Sequence, residues 1–125
     1  MLRKFLIGSA LAAGAIVSLA QPALAHHSFA MFDMKKNIKI RGTLREFQWT
    51  NPHVFLEILV KDPKGATTNW SIEAGAPNIL TRQGWKRSIF TPGEQLEVEL
   101  HPLRSGAPGG AIVSVRKADG TVING

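Results

Sequence analysis

The sequence contains no cysteine. That absence excludes disulfides, thiolate metal sites and cysteine nucleophiles together. Basic residues are scattered along the chain rather than collected in a run, which argues against a nucleic-acid partner. There is no Gly-rich phosphate loop and no HExxH zinc motif. A chain without disulfides must fold on its apolar core alone, which a domain of roughly 100 residues can do.

The longest apolar run lies near the amino end, from Phe5 to Ala20, directly after the basic pair Arg3 and Lys4. Ala23-Leu24-Ala25 follows with the small-x-small pattern of a signal-peptidase site. We therefore predict a helical, cleavable signal peptide over residues 1–25 and a periplasmic protein, with secretion as the alternative address. The run is shorter than the ~20 residues of a membrane span, which disfavours a permanent anchor.

The composition of the full chain is that of an ordinary globular protein. Hydrophobic residues make up 44% of the chain and charged residues 19%, which excludes a disordered protein. Because Arg3 and Lys4 leave with the signal peptide, the formal net charge of +6 falls by two to +4. This modest basicity favours solubility and a weak attraction to anionic surfaces.

Apolar residues alternate with polar ones in the first predicted strand, and the phase of the alternation changes within it. Ile38, Ile40 and Leu44 occupy even positions, whereas Phe47 and Trp49 occupy odd ones. Such a switch predicts a β-bulge near residues 45–46, with Gly42 easing the bend. A strand coiled in this way can pair with both halves of a small barrel.

The remaining strands and one helix follow from alternation and turn residues. Pro77 suits the first helical turn and Gly84 suits a carboxyl-terminal cap, so a short helix is predicted from Pro77 to Gln83. Residues 104–110 are predicted to form a Gly/Pro loop. The predicted strands lie around Val54–Val60, Trp70–Ile72, Leu96–Leu100 and Val113–Val115, with a short final extension at Thr121–Ile123.

This order of elements predicts a mainly β fold. A helix between strands three and four of a small five-stranded barrel is the arrangement of the OB-fold. A plain β-sandwich is the alternative, and the position of the helix counts against it. We expect three segments: the signal peptide, an N-terminal arm over residues 26–36 and an OB-like barrel over residues 37–125.

Cleavage after Ala25 would make His26 the first residue of the mature protein, followed by His27. A free amine and the ring of the same histidine can chelate a metal ion, and a further imidazole would complete the planar nitrogen set that Cu(II) prefers. His27 and His53 are the candidate third ligands, with His101 a weaker one. The alternatives are a solvated amino terminus without a metal, or a histidine pair that aids export or packs on Phe29 and Phe32.

The segment Trp49-Thr50-Asn51-Pro52-His53 is the second candidate site. Asn-Pro favours a turn, which would place Trp49 and His53 at one end of the barrel. Trp49, Asn51 and His53 could then line a polar pocket with an aromatic wall, able to hold a small ligand. A structural corner is equally compatible with the segment, with Trp49 in the core and His53 capping the turn.

Residues for catalysis are few. Ser28 is adjacent to His27 in sequence, but no third residue is recognisable that would orient a nucleophile and base. Glu57 and Glu73 fall on hairpin strands and could face each other, without a pattern that assigns them acid and base roles. We therefore predict a binding protein rather than an enzyme.

The sequence also resembles the exported bacterial proteins of domain of unknown function family 6152. The resemblance covers the whole mature domain and is most specific in the HHSFA and WTNPH motifs. It implies a signal peptide and a small β-rich domain, and it implies no activity. The matching segments are His26-His27-Ser28-Phe29-Ala30, Gly42-Thr43-Leu44, Trp49-Thr50-Asn51-Pro52-His53, Asn69-Trp70 and Gly84-Trp85.

Together these features predict an exported binding module. Its expected partner is a small ligand, a metal ion such as Cu(II) or a protein of the cell envelope, and we expect neither nucleic acid nor a stable membrane anchor after cleavage. A structural or adaptor protein of the envelope, with no small ligand, is the alternative.

Overall fold

Six strands and one short α-helix make up the computed structural model of the chain, which describes residues 29–125. A 3-10 turn precedes them in the arm. In chain order the elements are the 3-10 turn Phe29–Met31, β1 (Ile38–Gln48), β2 (Phe55–Lys61), β3 (Thr67–Glu73), α1 (Pro77–Arg82), β4 (Gln95–Pro102), β5 (Gly109–Lys117) and β6 (Val122–Asn124).

Strand β1 contains the predicted bulge. Leu44 pairs with Ile58 of β2, but the next pair is Glu46 with Glu57, so Arg45 has no partner on β2. The extra residue reverses the phase of the strand, which lets Leu44 and Phe47 both pack on the core. The first part of β1 pairs with β4 and the second part with β2, both antiparallel.

A parallel pairing between β3 and β5 closes the sheet into a barrel. The closed circuit runs β1-β2-β3-β5-β4 and returns to β1, while β6 pairs with β5 outside it. The prediction that residues 104–110 form a loop is wrong at its end, because Gly109 and Gly110 are the first residues of β5. They pair with Ser71 and Ile72. Glycine is needed at position 110 because a Cβ there would overlap the backbone carbonyl oxygen of His101.

The barrel interior is filled by apolar side chains from every strand of the circuit. The even residues of β2 and β4 point inward, as their alternation predicted, and Leu80 of α1 closes one end. Trp85 belongs to an aromatic cluster next to the helix. Its Nε1 donates to the carbonyl oxygen of Asn124 at 2.8 Å. The largest fully buried side chains are Trp85, Leu44, Leu56, Ile58, Ile72, Leu80, Leu100, Val54, Val98 and Val115.

The described part of the N-terminal arm is fastened to the barrel. Phe32 is 4% exposed and forms a β-bridge with Leu103. The backbone N–H of Asp33 donates to Pro102 at 2.8 Å, and Nε of Arg104 donates to the carbonyl oxygen of Ala30 at 3.0 Å. These contacts fix the position of residues 30–33 against the barrel.

The predicted signal peptide and the residues His26, His27 and Ser28 lie outside the described residues. Within residues 29–125, no helix has the length and apolarity needed to cross a membrane. The predicted helix and its glycine cap are confirmed, since α1 begins at Pro77 and Gly84 follows its carboxyl end with φ +92°.

Candidate functional site

A cleft of about 320 Å³ opens where the arm crosses the end of the barrel. Most of its lining is apolar, and the ionisable side chains among the described lining residues are one imidazole and one carboxylate. Strand β2 is preceded by His53, β3 ends at Glu73, and the arm contributes two phenylalanines. We call this the His53 cleft; its lining residues are Phe29, Phe32, His53, Glu73, Ala74, Gly75, Ala111, Ile112 and Gly125.

Two neighbours of His53 determine which of its ring nitrogens carries the proton. Nδ1 lies 3.0 Å from the carbonyl oxygen of Ala74 and 3.4 Å from Oε1 of Glu73. A carbonyl oxygen only accepts hydrogen bonds, so Nδ1 must donate. The neutral ring therefore has its lone pair on Nε2, which is the form in which histidine binds metals.

Glu73 is the more enclosed member of this pair. Its side chain is 12% exposed, against 31% for that of His53. A carboxylate beside a histidine N–H helps to orient the ring. The pair can thus present a metal-binding nitrogen beside an apolar wall.

The turn before His53 is built by its neighbours. Thr50 donates from its hydroxyl to the carbonyl oxygen of His53 at 2.8 Å, and the Asn51–Pro52 peptide bond is cis. Trp49 is half-buried and packs edge-on against Phe47, with ring centroids 5.8 Å apart. Asn51 is exposed at the tip of the turn. Of the three predicted ligand-binding residues, the lining of the His53 cleft includes His53 alone.

The predicted metal ligands separate into two groups. His53 lies in the cleft, and His26 and His27 precede its Phe29 wall in sequence but fall outside the described residues. His101, the weaker candidate, contacts the carbonyl oxygen of Lys36 through Nδ1 at 2.8 Å and is not part of the cleft lining. Between residues 29 and 125, no three histidine, aspartate or glutamate side chains are grouped closely enough to hold a metal ion.

Sequence reasoning missed the partnership between His53 and Glu73. The two glutamates of the hairpin do not face each other, because Glu73 pairs with Phe55 and Glu57 pairs with Ser71. The backbone N–H of Ala74 donates to the carbonyl oxygen of Val54 at 2.8 Å, which draws the end of β3 towards His53. The register of the hairpin was the signal in the sequence for this contact. Pairing the two strands residue by residue outward from the Asp62–Gly65 turn places Glu73 near the start of β2.

The fold is that of a small OB-type barrel with a cleft at one end. The chain belongs to the family of unknown function DUF6152, whose sequence profile matches residues 13–113, so the resemblance seen in the motifs is confirmed. No curated protein matches the sequence.

One solved structure of similar fold is the crystal structure of the mitochondrial single-stranded DNA binding protein Rim1 from S. cerevisiae. It superimposes with a TM-score of 0.51 at 14% sequence identity, covering 72% of this chain and 96% of that one. At this identity the likeness concerns the fold alone, and it confirms the predicted OB-type barrel.

Proposed function

We propose that the protein is an exported, periplasmic metal-binding module that holds Cu(II) with its processed amino terminus and His53. The amine and ring of His26 would supply two nitrogens, and Nε2 of His53 a third. His27 is the second source of an imidazole. Nitrogen ligands in a planar set are the arrangement that Cu(II) favours among the common divalent metals.

The proposal rests on one observation: Phe29, which follows the paired histidines by two residues, lines the same cleft as His53. An extended chain spans at most about 3.6 Å per residue, so His27 is within about 7 Å of Phe29 and His26 within about 11 Å. The described part of the arm is fastened to the barrel at Phe32. This short reach would allow the paired histidines and His53 to share one metal ion at this end of the barrel.

The negative charge where the second part of β1 pairs with β2 favours a partner other than nucleic acid. Glu46 of β1 pairs directly with Glu57 of β2, and Glu57 accepts hydrogen bonds from Asn69 at 2.6 Å and Ser71 at 2.9 Å. Single-stranded nucleic acid requires a positively charged groove with stacking aromatics. The adjacent carboxylates of Glu46 and Glu57 would repel a phosphate backbone at this part of β1 and β2.

The test is a Cu(II) titration of the processed protein, followed by absorption and electron paramagnetic resonance spectra. We expect one tightly held ion with nitrogen ligands. One alanine added before His26 removes the chelate formed by its amine and ring, and His53→Ala removes the barrel ligand. Each change should weaken binding by roughly tenfold or more.

His101→Ala is the matched control, because it removes an imidazole outside the cleft and should leave the affinity unchanged. Equal affinity in the extended and processed proteins would exclude the amine chelate. If the processed protein does not bind Cu(II), the structural or adaptor role in the envelope is the better description.

A further inference from the structure

A second cleft lies at the opposite end of the barrel, where β1 and β2 separate. Their ladder ends at the pair Thr43 and Leu59, beyond which β2 continues to Lys61. The part of β1 before Thr43 pairs with β4 instead. The two strands diverge from this point and enclose about 460 Å³, which we call the β1–β2 cleft.

Gly42 makes the apex of this cleft possible. A Cβ at this position would overlap the carbonyl oxygen of Leu59 and lie 2.8 Å from Cγ2 of Ile58. The backbones of β1 and β2 therefore approach closely at the apex, and no side chain from residue 42 fills the opening. The cleft is a consequence of how the coiled first strand passes from one neighbour to the other.

The lining of the β1–β2 cleft is basic and rich in hydrogen-bond donors. Arg41 stands on the β1 wall and Lys61 on the β2 wall, and no acidic residue occurs among the described residues that line it. Thr43 accepts from Nε2 of Gln95 at 2.7 Å, and its hydroxyl can also donate one hydrogen bond. The lining residues are Arg41, Gly42, Thr43, Leu59, Lys61, Thr67 and Gln95.

The carboxylate beside Arg41 is already surrounded by cations. Oε2 of Glu97 accepts from Nε of Arg41 at 2.6 Å, and Lys39 and Arg116 approach the other oxygen at 4.0 and 3.9 Å. Three positive charges thus face one negative charge. The contact uses only Nε of Arg41, so its two amino groups can still bind a second anion.

We propose that the β1–β2 cleft is an anion site that binds a phosphate group, with Arg41 and Lys61 as its charged ligands. The planar guanidinium fork matches two phosphate oxygens, and the lysine supplies a point charge from the other wall. Thr43 adds a hydroxyl donor. The phosphate is either a free small anion or the headgroup of an anionic lipid, which share this chemistry.

This site is separate from the one proposed for copper. The first and last residues of β2, Phe55 and Lys61, lie about 20 Å apart at the usual rise of a strand. His53 precedes the first of them, and Lys61 belongs to the β1–β2 cleft. Failure of either proposal leaves the other standing.

The first experiment titrates the purified protein with inorganic phosphate and follows backbone amide shifts by NMR. We expect saturable shifts confined to the cleft. Lys61→Gln should weaken phosphate binding by about tenfold, the cost of one charge-assisted hydrogen bond. Arg41→Lys keeps the charge but loses the fork, so it should weaken binding by several-fold while the remaining spectrum confirms the fold.

Lys64→Gln is the matched control, because Lys64 lies in the exposed turn beyond Lys61 and outside the cleft. It removes the same charge and should leave the affinity unchanged. Equal losses in the two lysine variants, or shifts spread over the whole basic surface, would show general charge screening and overturn the proposal.

Vesicle sedimentation distinguishes the two sources of phosphate. A lipid headgroup is indicated if phosphatidylglycerol vesicles bind the protein, phosphatidylcholine vesicles do not, and Lys61→Gln releases it. A free anion is indicated if inorganic phosphate binds at the cleft and neither vesicle does. If neither phosphate nor vesicles bind, the cleft is not a phosphate site.

Discussion

Nδ1 of His53 lies 3.4 Å from the Oε1 atom of Glu73, across the mouth of the arm-lined cleft. The same nitrogen contacts the carbonyl oxygen of Ala74 at 3.0 Å, so the backbone and the carboxylate hold the ring from one side. The remaining nitrogen, Nε2, is the one that the copper proposal assigns to the metal. The role of Glu73 in that proposal is therefore to position the ring.

Replacing Glu73 with glutamine should weaken Cu(II) binding by about 10- to 100-fold, the usual effect of losing a carboxylate that supports a metal-binding histidine. The measurement is the copper affinity of the processed protein. Glu46→Gln removes a carboxylate outside the His53 cleft and serves as the control. A positional role predicts that Glu73→Gln also alters the nitrogen hyperfine pattern of the bound ion, and an unchanged affinity would remove Glu73 from the site.

A second prediction concerns pH and the cations around Glu97. The hydrogen bond from Arg41 lowers the pKa of Glu97 below its ordinary value of 4.5; partial desolvation opposes this, and the charges of Arg41, Lys39 and Arg116 add to it. A carboxyl group with a lowered pKa in the folded state stabilises that state above pH 4.5. This stabilisation is lost as the pH falls through the folded-state value.

Glu97→Gln should consequently lower the urea midpoint near neutral pH, and the difference from wild type should shrink as the pH falls through the folded-state pKa of Glu97, where the wild-type carboxyl group becomes protonated as well. Because the ion pairs are exposed, about 1 M salt should reduce the neutral-pH difference. A difference that persists unchanged at low pH would mean that the substitution acts through packing instead of charge.

Local patterns in the sequence were sufficient to predict much of the barrel. The phase change along β1 located the bulge at Arg45, and Pro77 and Gly84 bounded the helix. Each of these signals comes from residues that are neighbours in the chain. Their side chains and backbone angles determine the outcome without reference to the rest of the fold.

Features made by distant segments were not visible in the same way. Gly109 and Gly110 have the composition of a loop, and pairing with the distant strands β3 and β4 makes them part of a strand. The register of the hairpin brings Glu73 to the start of β2, and the divergence of β1 and β2 places Lys61 in a cleft. Both clefts form only when the sheet closes. The residues that line them could therefore not be predicted from local sequence patterns.

The barrel core provides a third prediction. Leu100 is fully buried between β1 and β5, and Leu100→Ala should cost about 2–5 kcal/mol of unfolding free energy. Ile79→Ala truncates an aliphatic side chain that is 50% exposed on the helix, and it should cost less than about 1 kcal/mol. Urea unfolding followed by tryptophan fluorescence measures both, and similar losses would contradict the inward orientation of β4.

The fourth prediction tests how the barrel closes. A Cβ on Gly110 would meet the carbonyl oxygen of His101 and the side chain of Leu100, within the segment that pairs with Ile72 of β3. A backbone oxygen cannot turn away as a flexible side chain can, so Gly110→Ala should force β4 and β5 apart and cost about 1–3 kcal/mol or more. Urea unfolding gives the free energy, and amide hydrogen exchange should accelerate at Ser71 and Glu73, whose partners lie in the disturbed strand.

The control for this closure test is Gly75→Ala, where an added Cβ lies 3.5 Å from Leu80, an ordinary contact distance. Its stability should change by less than about 1 kcal/mol, because the new methyl group needs no displacement of the backbone. Equal stability of the two variants would show that the β3–β5 pairing tolerates a side chain at Gly110. The close approach of the strands would then not be what requires glycine there, and closure would depend on the remaining ladder and on the buried residues of β4.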